Sequence, residues 1–395
     1  MSVAEGDAYV FNPFARLRFE QSDGEPTGLI HVSALLRGCG WQHAVVAERE
    51  QPGLHALLRG ILIADGEVDV ELTAEQIEAL QAIGLWIARA DVPRKARFCV
   101  ALDACDAGAG GDPDDEAGEI IVHPSLQLER PARLIAPPAV ADAGSTVWIT
   151  DARTGVAAPY WTASLDADVR RCSPGAPPPP LAPAARAQLR RAGVLVTTRE
   201  LERAAADRAR ELTLAAEDFA RSDHAVIPGL VPAAQLGPLQ RYYRALIAEG
   251  FVPFGDSTVP RRYAQHNERV ARVFLAGLQD AVQTVVRADI KPAYAYFASY
   301  REGADLPIHV DRAQCELSIS LLVDYEPAID GSSPWPLRLH RTRSDEGVAV
   351  HQRVGDGIVY RGRKLYHSRT ALPEQHRSTH LFLHYVYSDF EGSLD

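Results

Sequence analysis

Residues 291–325, KPAYAYFASYREGADLPIHVDRAQCELSISLLVDY, decide how the C-terminal half of this chain reads. Leu317, Ile319 and Leu321 alternate with Ser318 and Ser320, the period-two signature of a half-buried strand. Just upstream, His309 and Asp311 stand two residues apart in an extended stretch. Alternate residues of an extended chain project to one face, so a histidine and a carboxylate converge at the mouth of a sheet. The region is also histidine-rich, with seven of the 13 histidines in the last 87 residues.

Residues 355–387, GDGIVYRGRKLYHSRTALPEQHRSTHLFLHYVY, supply the rest of the constellation. A strand is expected over Ile358 to Tyr360, then His367, a polar loop, and a last strand from about Thr379 to Tyr387 entered from Arg377. Two histidines and one carboxylate on a β scaffold form a facial triad that leaves coordination positions of iron open. His340 and His351 are rival third ligands, but both sit in or beside the polar insert 341–352. His367 is favoured because a strand precedes it and an arginine follows ten residues on. A guanidinium fork at Arg377 could clamp a dicarboxylate. His376, His380 and His384 have plainer readings as exposed or hydrogen-bonded positions of the last strand, and Trp335 and Arg361 as packing and solvated charge.

His309-x-Asp311, His367 and Arg377 together resemble the signature of the iron(II)- and 2-oxoglutarate-dependent oxygenases, nearest in layout to the prolyl-4-hydroxylase-like branch. The resemblance spans residues 222–395. It implies a double-stranded β-helix, or jelly roll, with supporting helices ahead of it, and 225–251 (AVIPGLVPAAQLGPLQRYYRALIAEGF) offers the strand, turn and helix expected there. It implies iron(II) held by His309, Asp311 and His367, with 2-oxoglutarate and O2 as co-substrates. The far carboxylate of 2-oxoglutarate would be held by Arg377 and by Tyr300, nine residues before His309. Prolyl hydroxylases carry lysine where Arg377 stands, so Arg377 fits the wider family better than that branch. Retention of Asp311 favours hydroxylation over halogenation, whose enzymes lack the carboxylate.

The N-terminal half carries a short internal repeat. Residues 72–87 (LTAEQIEALQAIGLWI) align with 181–196 (LAPAARAQLRRAGVLV), placing Leu80 on Leu189 and Gly84 on Gly193 at an offset of 109. Each copy reads as a helix capped by glycine that enters an apolar strand. A helix is expected to start near Pro183, after the four prolines of 173–183, and two helices to fill the stretch to about Ala220 with a break at Gly193. The second copy, with VWITDARTG (147–155), a helix around Ala163 to Cys172 and LRRAGVLVT (189–197), resembles the small winged-helix peptide-recognition domains of peptide-modifying systems. That family includes the peptide chaperone of pyrroloquinoline quinone synthesis. The resemblance covers about 60 residues and implies that this half holds a peptide.

The expected architecture is therefore α+β and multidomain: an α+β module over 1–102, an acidic Gly/Asp linker or loop over 103–119, a second α+β module over 120–221 and the jelly roll over 222–395. At 395 residues, 46% hydrophobic and 24% charged, the composition excludes wholesale disorder and fibrous repeats. A net charge of −11 argues against general affinity for nucleic acid or anionic membrane. No apolar run is long enough to span a bilayer and the opening has no secretory pattern, so a cytoplasmic protein is expected. Homodimerisation stays open. The five cysteines make no C-x-x-C pair, indicating reduced thiols without a required role and no structural zinc. The function expected is hydroxylation of an unactivated C–H bond on a peptide or protein presented by the N-terminal modules. A free amino acid or natural-product intermediate is the alternative substrate, and a non-catalytic metal-binding jelly roll the alternative class.

Overall fold

The computed structural model describes residues 9–21, 28–63, 72–94, 96, 98, 100–104, 118–128, 144–256 and 258–394. The expected Gly/Asp linker lies outside the described residues between 105 and 117. The chain divides into two compact units, residues 1–96 with 243–253, and residues 97–242 with 254–395. The expected second module and the expected jelly roll thus fall within one unit.

In the first unit the strands Ala15–Gln21, Gly28–Leu36 and Gly40–Ala47 form an antiparallel meander. The central strand alternates buried with half-buried residues and places Ile30 and Val32 in a core with Leu58, Leu80 and Leu85. The helices Pro52–Ile63 and Ala74–Ala82 follow, the second opened by a Thr73/Gln76 capping box. Trp86–Ala88 then returns to pair antiparallel with Tyr9–Phe11.

Residues 118–197 repeat this order. The strands Gln127–Leu128, Thr146–Thr150 and Ala157–Trp161 make the meander, two helical turns fill 163–169, Pro183–Arg191 forms the helix, and Leu195–Thr197 returns to pair with Ile120–Val122. The equivalence reaches individual bonds. Gly84 and Gly193 both have φ of +72°, and the next residue donates back to the helix, Leu85 to Leu80 and Val194 to Leu189, each at 2.9 Å. Asn12 N–H donates to Leu85 and His123 N–H to Val194, each at 2.8 Å. The repeat has one physical basis: a left-handed residue ends the helix and turns the chain into a strand whose apolar residues close the core. The stretch from 183 to 220 accordingly holds a strand between its two helices, Pro183–Arg191 and Thr198–Ser222, and not only a turn. The long helix starts at a Thr197/Glu200 capping box, and Arg190 clamps Glu200 bidentately at 2.8 and 2.9 Å.

The remaining chain builds two antiparallel sheets. One has six strands in the order His224–Ile227, Gly357–Tyr360, Leu317–Glu326, Arg377–Tyr387, Ile290–Arg301, Arg262–His266. The other has four, in the order Leu306–His309, Tyr366–Arg369, Leu337–His340, Val348–Val350. They pack face to face: Leu337, Leu339 and Val350 of the small sheet meet Ile358 and Tyr360 of the large one, and Leu306 meets Tyr300, Leu322 and Phe382. This α+β architecture is consistent with the expected jelly roll. The expected strand over 317–321 extends to Glu326, and its serines face inward instead of to solvent, since Ser318 and Ser320 are fully buried. Among the described residues no helix is long and apolar enough to cross a membrane.

Gly193→Ala forces a side chain into left-handed backbone with no compensating contact, at a cost of about 1 kcal/mol. Amide hydrogen exchange of Leu195–Thr197 is expected to accelerate about fivefold. Gly193→Asn, which tolerates that conformation, should recover most of the difference.

Candidate metal centre

Antiparallel pairing of Leu306–His309 with Tyr366–Arg369 sets His309 directly opposite His367, with ring centroids 4.2 Å apart. The chain then leaves the sheet, and Asp311 N–H donates to Gly362 at 2.9 Å, turning the carboxylate back under the histidines. Asp311 Oδ1 lies 3.4 Å from His367 Nε2. One donor atom from each of His309, Asp311 and His367 falls within 4.8 Å of the other two, close enough to share one ion.

The surrounding hydrogen bonds prepare these groups as ligands. His309 Nδ1 donates to Pro307 O at 2.8 Å and His367 Nδ1 to Leu365 O at 3.1 Å. A carbonyl only accepts, so the proton sits on Nδ1 and the Nε2 lone pair of each ring stays free. Asp311 Oδ2 accepts from Ser318 Oγ at 2.8 Å. Burial pushes the Asp311 carboxyl up, but His367 and His384, whenever their rings are protonated, and the Ser318 hydroxyl outweigh it. The net effect holds Asp311 well below the usual carboxylate range. Burial, then the neighbouring His367, pull His309 down, which favours the neutral ring a metal needs.

A cavity of about 370 Å³ opens over these residues, walled by Tyr294, Tyr296, Tyr300, Tyr360 and Phe382. Tyr300 is buried in this wall. Arg262 lies beside it, with Nη1 3.5 Å from the Tyr300 hydroxyl and Nε donating to Asp256 at 2.6 Å.

Arg377 is not brought to this cavity. It is exposed, its Nη1 3.0 Å from Glu326 and its backbone paired with Arg301 and Glu326. The reason is strand parity: Phe382 and His384 line the cavity, whereas Tyr385, on Arg377's side of the same strand, reaches Leu275 O at 2.7 Å on the opposite face. The buried cation is Arg369, two residues after His367 in the same strand. Its Nη1 donates to Trp335 O at 2.7 Å and Nη2 to Ser320 Oγ at 3.3 Å, its Nε has no partner, and its guanidinium stacks 4.6 Å from the Trp335 ring. Burial lowers it to about 10, so it stays charged at neutral pH, and no carboxylate among the described residues bonds it. The H-x-R spacing after His367 was the available signal for it.

The rival histidines are occupied elsewhere. His340 Nδ1 meets Asp345 and its Nε2 meets Ser368, and His351 Nδ1 donates to Ser333 O. His376 meets Tyr325, His380 lies buried between Ser320 and Ser378, and Trp335 is fully buried.

No protein-family model matches the sequence, and no curated protein matches it. Solved structures do resemble its fold. The non-heme alpha-ketoglutarate-dependent epimerase SnoN from nogalamycin biosynthesis aligns over 46% of this chain and 84% of its own, at 13% identity and a TM-score of 0.39. A Pseudomonas putida prolyl-4-hydroxylase aligns over 44% of this chain and 98% of its own, at 19% identity and a TM-score of 0.35. HygX from Streptomyces hygroscopicus, solved with nickel, 2-oxoglutarate and hygromycin B bound, aligns over 46% of this chain and 88% of its own, at 11% identity and a TM-score of 0.36.

At Gly362 an added Cβ would sit 2.3 Å from Asp311 Oδ2 and 2.5 Å from Cys315 O. Gly362→Ala is therefore expected to displace Asp311 and weaken divalent-metal binding about tenfold or more by calorimetry, with the fold retained by circular dichroism.

Proposed function

We propose that the protein is an iron(II)- and 2-oxoglutarate-dependent dioxygenase with a jelly-roll catalytic domain, in which His309, Asp311 and His367 hold the metal. The observation that carries this reading is their convergence on one cavity, with both Nε2 lone pairs free and the carboxylate anchored by Ser318. The donor set suits iron(II), since two neutral imidazoles and one carboxylate leave positions for a chelating co-substrate and O2. Bound together, iron, 2-oxoglutarate and O2 supply the oxidising equivalents for hydroxylating an unactivated C–H bond, 2-oxoglutarate leaving as succinate and carbon dioxide.

This chain's residues position and exclude. Tyr300 and Arg262, on the cavity wall, are assigned to the far carboxylate of 2-oxoglutarate in place of Arg377. Arg369 supports them through its field: an uncompensated buried cation is costly, and a bound dianion next to it offsets that cost. The aromatic walls keep water from the reacting centre.

The substrate is assigned as a peptide or protein residue. Of the two meanders, that of residues 15–47 leaves one edge of Gly40–Ala47 unpaired among the described residues, with Val45 54% exposed on it. The equivalent edge of the second, on Ala157–Trp161, is taken in parallel by Val100–Ala101. An unpaired edge accepts an extended peptide as an added strand. A small-molecule substrate is the second reading, favoured by a cavity volume typical of small-ligand sites.

Anaerobic addition of iron(II) and 2-oxoglutarate to the apoprotein should produce the weak visible charge-transfer band of the chelate. Arg262→Met and Arg369→Met are expected to raise the 2-oxoglutarate requirement about 10- to 100-fold, the worth of a charge-assisted contact, and Arg377→Ala to leave it within about twofold. A folded, metal-loaded protein that forms no band would overturn the reading. Succinate released with peptide but not with free amino acids would support the peptide assignment, and the converse would favour the small molecule.

A further inference from the structure

The cavity holds a second set of metal donors, two of which, Cys315 and His384, the proposed oxygenase chemistry does not use. Asp311, Cys315 and His384 each offer one ligand atom within 4.8 Å of the other two. They come from rigid elements. Cys315 closes a turn through its N–H to Arg312 O at 3.0 Å, and His384 lies on the strand Arg377–Tyr387 directly across from Ser318. Cys315 and His384 are 1% and 5% exposed, and both line the cavity.

The hydrogen bonds give the set a direction. Ser318 Oγ donates its one proton to Asp311 Oδ2, so at its 2.9 Å contact with His384 Nδ1 it accepts, and that nitrogen carries the ring proton. His384 Nε2 keeps its lone pair. Cys315 Sγ lies 3.0 Å from the Tyr294 hydroxyl, which can donate to a thiolate. Asp311 itself has two distinct oxygens, Oδ1 beside His367 and Oδ2 on the Ser318 side. One carboxylate can thus serve two neighbouring positions.

We propose that the Asp311 carboxylate, Cys315 Sγ and the His384 imidazole form a second divalent-metal site, adjacent to the first and selective for a thiophilic ion of the zinc(II) class. Thiolate with imidazole and carboxylate is a zinc-type donor set, and an ion would draw the three atoms in to about 2.0–2.3 Å. Binding replaces the thiol proton by metal: the S–H bond breaks, an S–metal bond forms and the proton leaves to solvent, with no change of oxidation state. Arg312, the cation stacked 4.9 Å from the Tyr294 ring, is exposed and can turn to water as the ion enters. The geometry gives Cys315 a role that the unpaired cysteines of the sequence did not indicate.

The test is anaerobic titration of the full-length protein with cobalt(II), whose bond to thiolate gives a near-ultraviolet charge-transfer band that nitrogen and oxygen ligands do not. Wild type should bind two equivalents and develop the band, and zinc(II) should remove it. The band should be lost in Cys315→Ser and in His384→Gln, yet persist in His367→Ala, which disables only the first site. Absence of a thiolate band in cobalt-saturated wild type, or its survival in Cys315→Ser, would overturn the proposal. Because the readout is the thiolate band, it stands or falls separately from the iron and 2-oxoglutarate reading.

Discussion

The anchoring of one partly buried carboxylate, Asp311, constrains the site more than any other interaction. A desolvated charge is tolerated only when paired and hydrogen-bonded. Asp311 accepts a hydrogen bond from Ser318, whose hydroxyl lies in the large sheet, and its other oxygen stands 3.4 Å from His367, in the small one. Its own N–H is tied to Gly362, where a methyl group could not be accommodated. The carboxylate therefore bridges both sheets, while antiparallel pairing within the small sheet fixes the distance from His309 to His367. Buried serines on the strand Leu317–Glu326 follow from the same demand, since a cavity that orients polar ligands needs donors behind them.

The polar interior is more extensive than one metal position requires. Ser318 links Asp311 to His384, and Ser320 touches both His380 and Arg369. Burial holds His384 down to about 4, so its ring is neutral at ordinary pH. Arg369 retains its charge with no carboxylate among the described residues bonded to it.

The N-terminal half obeys simpler rules. Its two copies use one device, a helix of nine residues ended by a left-handed glycine and followed by a three-residue strand. Their difference lies at the meander edge, open in one copy and covered by the chain's own Val100–Ala101 in the other. Two copies of one fold can thereby take different roles without different cores.

The local patterns were legible in the sequence. The alternation over 317–321, the glycine-ended helices at an offset of 109 and the H-x-D pair followed by His367 depend on nearest neighbours and on which residues share a face, and periodicity carries that information. Arg377 and Arg369 mark where this stops. The spacing of ten residues after His367 points to a clamp at Arg377, but the loop between the strands fixes the parity of the last strand, and a shift of one residue turns a side chain to the other face. The convergence of Asp311, Cys315 and His384 was equally invisible, because it joins a turn to a strand about 70 residues away. The sequence by itself set the local periodicities and placed His309, Asp311 and His367 in or beside strands. The tertiary structure alone decided which cation is buried and which donors meet, because cross-strand register is set by packing between distant segments.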